Sequence, residues 1–140
     1  MPERLLDLLL VEDDEIDVLT FRRQMDDPGV RLHIAGDAAT ALKILQNRLE
    51  RGSRSSRWLV VLDLNLPGIS GLQFLDRLRS TPELAGIPVV VVTTSADQHD
   101  IKDAFAYHIS GYFLKPIDPD EFRRTLRTIA SYWCLSEMST

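Results

Sequence analysis

Four short runs of nearly solid apolar residues, at 5–11, 58–62, 87–92 and 111–114, constrain this chain more than any other feature. A strand with one face in water alternates apolar and polar side chains. A run that does not alternate fits a strand covered on both faces. The segments between these runs carry a helical period instead. Residues 15–26 place Val18, Phe21 and Met25 on one face before Pro28-Gly29 stops the helix. Residues 30–34 alternate, as an edge strand would. Asp37 is an N-cap candidate for a helix over 38–49 with an Ala41, Leu42, Ile44, Leu45 stripe. Residues 70–80 turn Leu72, Phe74, Leu75 and Leu78 inward, and residues 97–107 read as a fourth helix. Pro119 opens the last one, with Phe122, Leu126, Ile129 and Trp133 in one stripe. The pattern is (βα) five times over, which predicts an α/β fold: one doubly wound parallel five-stranded sheet with helices on both faces.

Length and charge narrow the function. A chain of 140 residues fits one domain, 1–140, with no output domain expected. A net charge of −5 offers no general attraction to nucleic acid or an anionic membrane. No apolar run approaches the ~20 residues of a membrane span. The opening MPERLLDLLL makes a poor signal peptide, because an acid interrupts its apolar part. Cys134 is the single cysteine, so no internal disulfide is available, as suits a reducing compartment. A cytoplasmic location is expected. Residues 51–57 read as a polar, basic loop.

The carboxyl ends of the strands hold the chemistry. In open α/β sheets that edge is where ligands bind. The first strand ends in Glu12 and Asp13, the third in Asp63, the fourth in Thr93 and the fifth in Lys115. Three acids at one edge repel one another unless a cation joins them. An oxygen-rich cluster without His or Cys favours Mg²⁺ over zinc. A carboxylate beside Mg²⁺ can attack a phosphoryl group and form an acyl phosphate. An ammonium and a hydroxyl then stabilise the transferring oxygens, and Lys115 and Thr93 are of those types. Asp63 is the candidate nucleophile.

LLVEDDE, VVLDLNLPGISG, VVVVTTS and GYFLKPID occur in that order on the expected strands. Together they resemble the receiver domain of two-component response regulators. The resemblance spans residues 6–133 and implies a flavodoxin-like sheet of order 2-1-3-4-5. It makes Asp63 the phosphorylated residue and Asp13 the main metal carboxylate, with Glu12 supporting the metal from outside its direct ligands. The Asn65 backbone carbonyl becomes a further ligand. Thr93 and Lys115 become the phosphoryl contacts and Tyr112 the aromatic switch. Lys115-Pro116 resembles the family's cis peptide. No essential position is missing. On phosphorylation the Thr93 hydroxyl would move inward and Tyr112 would follow, changing the face built by the fourth helix, fifth strand and fifth helix.

Within the family, TTS, VEDDEIDVLTF and the Tyr132-Trp133 ending resemble stand-alone receivers associated with bacterial phytochromes. That implies a phytochrome histidine kinase as phosphodonor and a homodimer through the last strand and helix. Ile16 and Leu19, off the core stripe of the first helix and beside Arg23, fall where the kinase would dock. Thr94 departs from the small residue common there. A relay intermediate or phosphate sink is the alternative role. A flavin carrier on this fold needs a glycine- and hydroxyl-rich phosphate loop where VEDDE stands. An aspartyl phosphohydrolase needs a second acid where Asn65 stands. His33, His99 and His108 do not cluster and read as local hydrogen-bonding residues.

Overall fold

The computed structural model describes residues 5–50 and 57–138. The elements alternate throughout: β1 (Leu6–Val11), α1 (Glu15–Gln24), β2 (Val30–Ala35), α2 (Ala38–Glu50), β3 (Arg57–Leu62), α3 (Gly71–Ser80), β4 (Val89–Thr93), α4 (Gln98–Ala106), β5 (Gly111–Leu114) and α5 (Pro119–Leu135). All strand pairs are parallel, in the order β2-β1-β3-β4-β5. This is the flavodoxin-like order expected. The three central strands β1, β3 and β4 are buried at every position, which explains why their sequences do not alternate.

Strand side chains divide the core into two layers. Leu9, Val11, Val60, Leu62, Val89 and Val91 face α2, α3 and α4, where Leu45, Phe74, Leu75 and Leu78 are buried. Leu8, Leu10, Leu59, Val61, Val90 and Val92 face α1 and α5, where Phe21, Met25, Phe122, Leu126 and Ile129 are buried. Trp133 packs at the margin of the second layer and is only partly buried.

Several boundaries shift for local reasons. Ser70 caps α3 rather than belonging to it, in a reciprocal capping box with Gln73. Asp97 likewise caps α4. β4 begins at Val89 instead of 87, because the Ile87 N–H turns back to the Leu84 carbonyl and Pro88 has no N–H to donate. Most of the basic loop expected over 51–57 lies outside the described residues, but Arg57 is the first residue of β3 and is buried. Its Nη2 donates to the Trp133 and Ser136 carbonyls, each at 2.7 Å, and so caps the carboxyl end of α5. The expected cis peptide at Lys115-Pro116 is not found; no cis peptide occurs among the described residues. Trans is the lower-energy form even before proline.

The β3–α3 turn positions the site. Gly68 takes φ +73°, a conformation a side chain would strain. A Cβ on Gly71 would lie 2.5 Å from Leu64 Cα and 2.8 Å from the Asp63 carbonyl oxygen. Only glycine lets α3 start this close to the strand end carrying Asp63.

Candidate functional site

Sequence places the acids at strand ends, and parallel pairing sets those ends side by side. Val11 is in register with Leu62, so Glu12 and Asp63 emerge on neighbouring strands. Thr93 pairs with Leu114, immediately before Lys115. Asp63 is 6% exposed, Glu12 2% and Thr93 0%. These are polar groups in core-like surroundings, so every one of them needs a partner.

Each has one. The Thr93 hydroxyl donates to Asp63 Oδ1 at 2.7 Å, and the Asn65 N–H reaches the same oxygen at 3.1 Å. Lys115 Nζ donates to Glu12 Oε1 at 2.6 Å, Asp17 Oδ2 at 2.7 Å and Asp63 Oδ2 at 3.1 Å. Thr93 and Lys115 therefore hold the two carboxylate oxygens of Asp63 from different sides. Asp13 is exposed at the rim, yet it brings a carboxylate oxygen into a cluster with Glu12 and Asp63 in which all three lie within 4.8 Å of one another. Asp14, the third acid of the run, is spent locally: its side chain accepts the Ile16 and Asp17 N–H groups as the cap of α1.

Electrostatics at this edge are unbalanced. Burial pushes the Glu12 carboxyl up, the nearby Asp63 charge adds to this, and Lys115 only partly opposes it, leaving a pKa of about 7. Burial alone would lower the Lys115 pKa, but hydrogen bonds to Asp17 and Glu12 outweigh it and hold the ammonium firmly protonated. One ammonium faces the carboxylates of Glu12, Asp17 and Asp63, with Asp13 beside them. A divalent cation fits that donor set: hard carboxylate oxygens, no thiol or imidazole, and excess negative charge.

Of the expected switch residues, Thr93 belongs to this centre and Tyr112 is tied to the segment that follows it. Tyr112 is half-buried, and its hydroxyl donates to the Ser95 carbonyl at 2.7 Å, two residues past Thr93. The Thr93 hydroxyl is already turned toward Asp63. Thr94 accepts a bond from Asn65 Nδ2 at 3.4 Å across the mouth of the site.

Asp17 was not singled out from sequence. Its signal is weak, one acid among several in the first turn of α1, and its partner lies 98 residues away. The histidines do stay apart: His33 bonds Asp7 at 3.0 Å and stacks on Trp58, while His99 and His108 lie elsewhere on the surface.

The sequence profile of the response regulator receiver domain matches residues 8–127. The chain belongs to this family. Among relatives of the receiver, a probable methanogenesis regulatory protein of Methanothrix harundinacea, FilR2, is 34% identical over 128 residues, spanning 90% of this chain and 82% of FilR2. Response regulator Rcp1 of Synechocystis is 30% identical over 128 residues, spanning 90% of this chain and 87% of Rcp1. The Mn²⁺-bound form of Rcp1 superposes with a TM-score of 0.85 at 29% identity, covering 99% of this chain and all of that one. The phosphorylated cyanobacterial phytochrome response regulator RcpA superposes with a TM-score of 0.87 at 25% identity, again over 99% and 100% of the two chains. The protein is thus a signalling receiver of the two-component type, similar to phytochrome-associated regulators. No helix among its described residues is long and apolar enough to cross a membrane.

Proposed function

We propose that this receiver accepts a phosphoryl group on Asp63 from a sensor histidine kinase. The observation that carries the reading is the bracketing of one buried carboxylate by Thr93 Oγ1 at 2.7 Å and Lys115 Nζ at 3.1 Å, beside an acid cluster. An Asp63 oxygen attacks phosphorus, the bond from phosphorus to the donor's imidazole nitrogen breaks, and its electron pair stays with the imidazole. Lys115 and Thr93 then face the oxygens on which charge collects. Asp13, Asp63 and the Asn65 carbonyl would hold Mg²⁺, with Glu12 supporting them. The ion supplies positive charge against the carboxylates and the incoming phosphoryl oxygens. The protein acts as a phosphoacceptor, not as an enzyme turning over a separate substrate.

The output runs through Thr93 and Tyr112 to the face formed by α4, β5 and α5. That surface exposes Phe105, Leu114 and Ile117. On α5, Tyr132 lies on the β5 side, beside Ser110 and Phe113, and Leu135 on the α1 side, beside Gln24 and Met25; they are 61% and 81% exposed, and this apolar surface supports a homodimer through β5 and α5. Ile16 and Leu19, exposed on α1, form the docking surface for the kinase. The likeness to RcpA favours a phytochrome kinase as the donor. The cytoplasm is the compartment where these partners meet.

Incubation with acetyl phosphate and Mg²⁺, read by intact mass, tests the central claim. Wild type should gain one base-labile phosphoryl group and Asp63→Asn none. Equal labelling of both would remove Asp63 from the mechanism. Light scattering tests the dimer: wild type should shift to twice the monomer mass when concentrated or phosphorylated, and Tyr132→Ala should weaken that shift. A wild type monomeric under both conditions would discard it.

A further inference from the structure

Lys115 has three ammonium hydrogens and three carboxylate acceptors. Two of those acceptors, Glu12 and Asp63, belong to the site as described. The third, Asp17, comes from a different element and matches no position expected to do chemistry. Its side chain is 22% exposed and that of Lys115 9%, so the 2.7 Å contact is shielded, unlike a loose surface ion pair. An acid in the first turn of a helix favours the helix dipole, but a solvent-facing acid suffices for that, and Glu15 in the same turn is one. Asp17 alone of the two turns inward to the lysine.

We propose that Asp17 is a positioning residue that aims the Lys115 ammonium at Asp63. Lysine carries a compact charge on a flexible four-carbon stem, and nothing in that stem orients its N–H groups. Glu12 at the end of β1 and Asp17 on α1 take two of them at 2.6 and 2.7 Å. The third is left facing Asp63 Oδ2 at 3.1 Å, the longest of the three contacts. When Asp63 becomes an acyl phosphate, that longest contact is the one that yields. The ammonium can turn one N–H to a phosphoryl oxygen while Glu12 and Asp17 keep it in place. The same bond ties the residue following β5 to α1, so the ammonium joins β1, α1, β3 and the end of β5 at one atom.

This role rests on the reading of Asp63 as phosphoacceptor, and the experiment separates the two. Phosphorylation by acetyl phosphate at saturating Mg²⁺ is followed by mass in wild type, Asp17→Asn, Lys115→Ala and the double variant, with melting temperature and Mg²⁺ affinity by calorimetry alongside. Asp17→Asn should lower the maximal rate by about tenfold or more with Mg²⁺ affinity within about threefold. In the Lys115→Ala background the same change should alter the slow residual rate by less than about twofold, because the residue acts through the lysine. Asp17→Glu, which keeps the charge, should recover part of the rate. It also serves as the second variant if Asp17→Asn fails to fold. Overturning results are an Asp17→Asn rate equal to wild type, or a loss just as large without Lys115. A wild type that takes up no phosphoryl group overturns the Asp63 reading and this role together. Labelling of wild type with no effect of Asp17 overturns the role alone.

Discussion

Two buried carboxylates, one inside β1 and one just past its end, have opposite surroundings. Asp7, near the amino end of β1, is 2% exposed and accepts from Arg31 Nε and Nη2 at 2.9 and 3.0 Å, with His33 Nε2 at 3.0 Å. Burial pushes its pKa up, but the His33 and Arg31 hydrogen bonds outweigh it and hold the carboxyl below its ordinary range. Glu12, just past the carboxyl end of the strand, is equally buried but is pushed up to about 7. Equal burial therefore does not mark function. Asp7 has a guanidinium and an imidazole to itself, whereas Glu12 shares one ammonium with Asp17 and Asp63. A cluster whose charges balance locks a fold, and one left short of positive charge is ready to receive a cation.

Lys115 carries the largest effect. Lys115→Met should lower the rate of labelling by acetyl phosphate by about 10²–10³-fold, the usual effect of losing one transition-state donor. Asp7→Asn should leave that rate unchanged. A Lys115→Met rate near wild type would mean that the ammonium is there only to balance charge.

Mg²⁺ separates the two ends next. At about 100 times its dissociation constant it should stabilise the fold by about 2.7 kcal/mol, measured by urea unfolding. The gain should disappear in Asp13→Asn and persist in Asp7→Asn. Persistence in Asp13→Asn would move the cation away from the acid cluster.

Removing the balanced carboxylate should cost stability alone. Asp7→Asn leaves Arg31 and His33 without their charged acceptor, and about 1–3 kcal/mol should be lost in urea unfolding. An unchanged midpoint would show that solvent replaces Asp7 at no cost.

Without Mg²⁺ the two carboxylates also part in the pH profile of stability. With its pKa raised from 4.5 to about 7, folded Glu12 keeps a proton that the unfolded chain gives up across that window. Stability from this group is greatest below that window and is lost as pH rises toward 7. Asp7 acts in the opposite sense: its lowered pKa gives stability above the ordinary aspartate range, lost as acid protonates the folded form. Glu12→Gln should flatten the near-neutral limb and Asp7→Asn the acid limb. If either substitution flattened the other's limb, the assignment would be reversed.

Patterns within a few residues reported faithfully on local structure. Solid apolar runs marked the central strands, helical stripes marked Phe21, Phe74 and Phe122 as core, and the acids at 12, 13 and 63 fell at strand ends because an unpaired polar group is costly inside a strand covered on both faces. From there, parallel connection rules brought Glu12, Asp63, Thr93 and Lys115 to one edge. Pairings between distant side chains had no such local signal. Asp7 looked like an interruption in an apolar run until the β1–β2 register set it opposite Arg31. Arg57 looked like the end of a basic loop until α5 returned its last carbonyls to it across 76 and 79 residues. Asp17 looked like one more acid in a helix's first turn. Periodicity assigns a residue to a face, but which charge it meets there depends on register, helix rotation and side-chain direction, and these are set only when the layers pack. The candidate nucleophile Asp63 could thus be read from its strand, while the set of carboxylates that Lys115 meets was decided by tertiary structure.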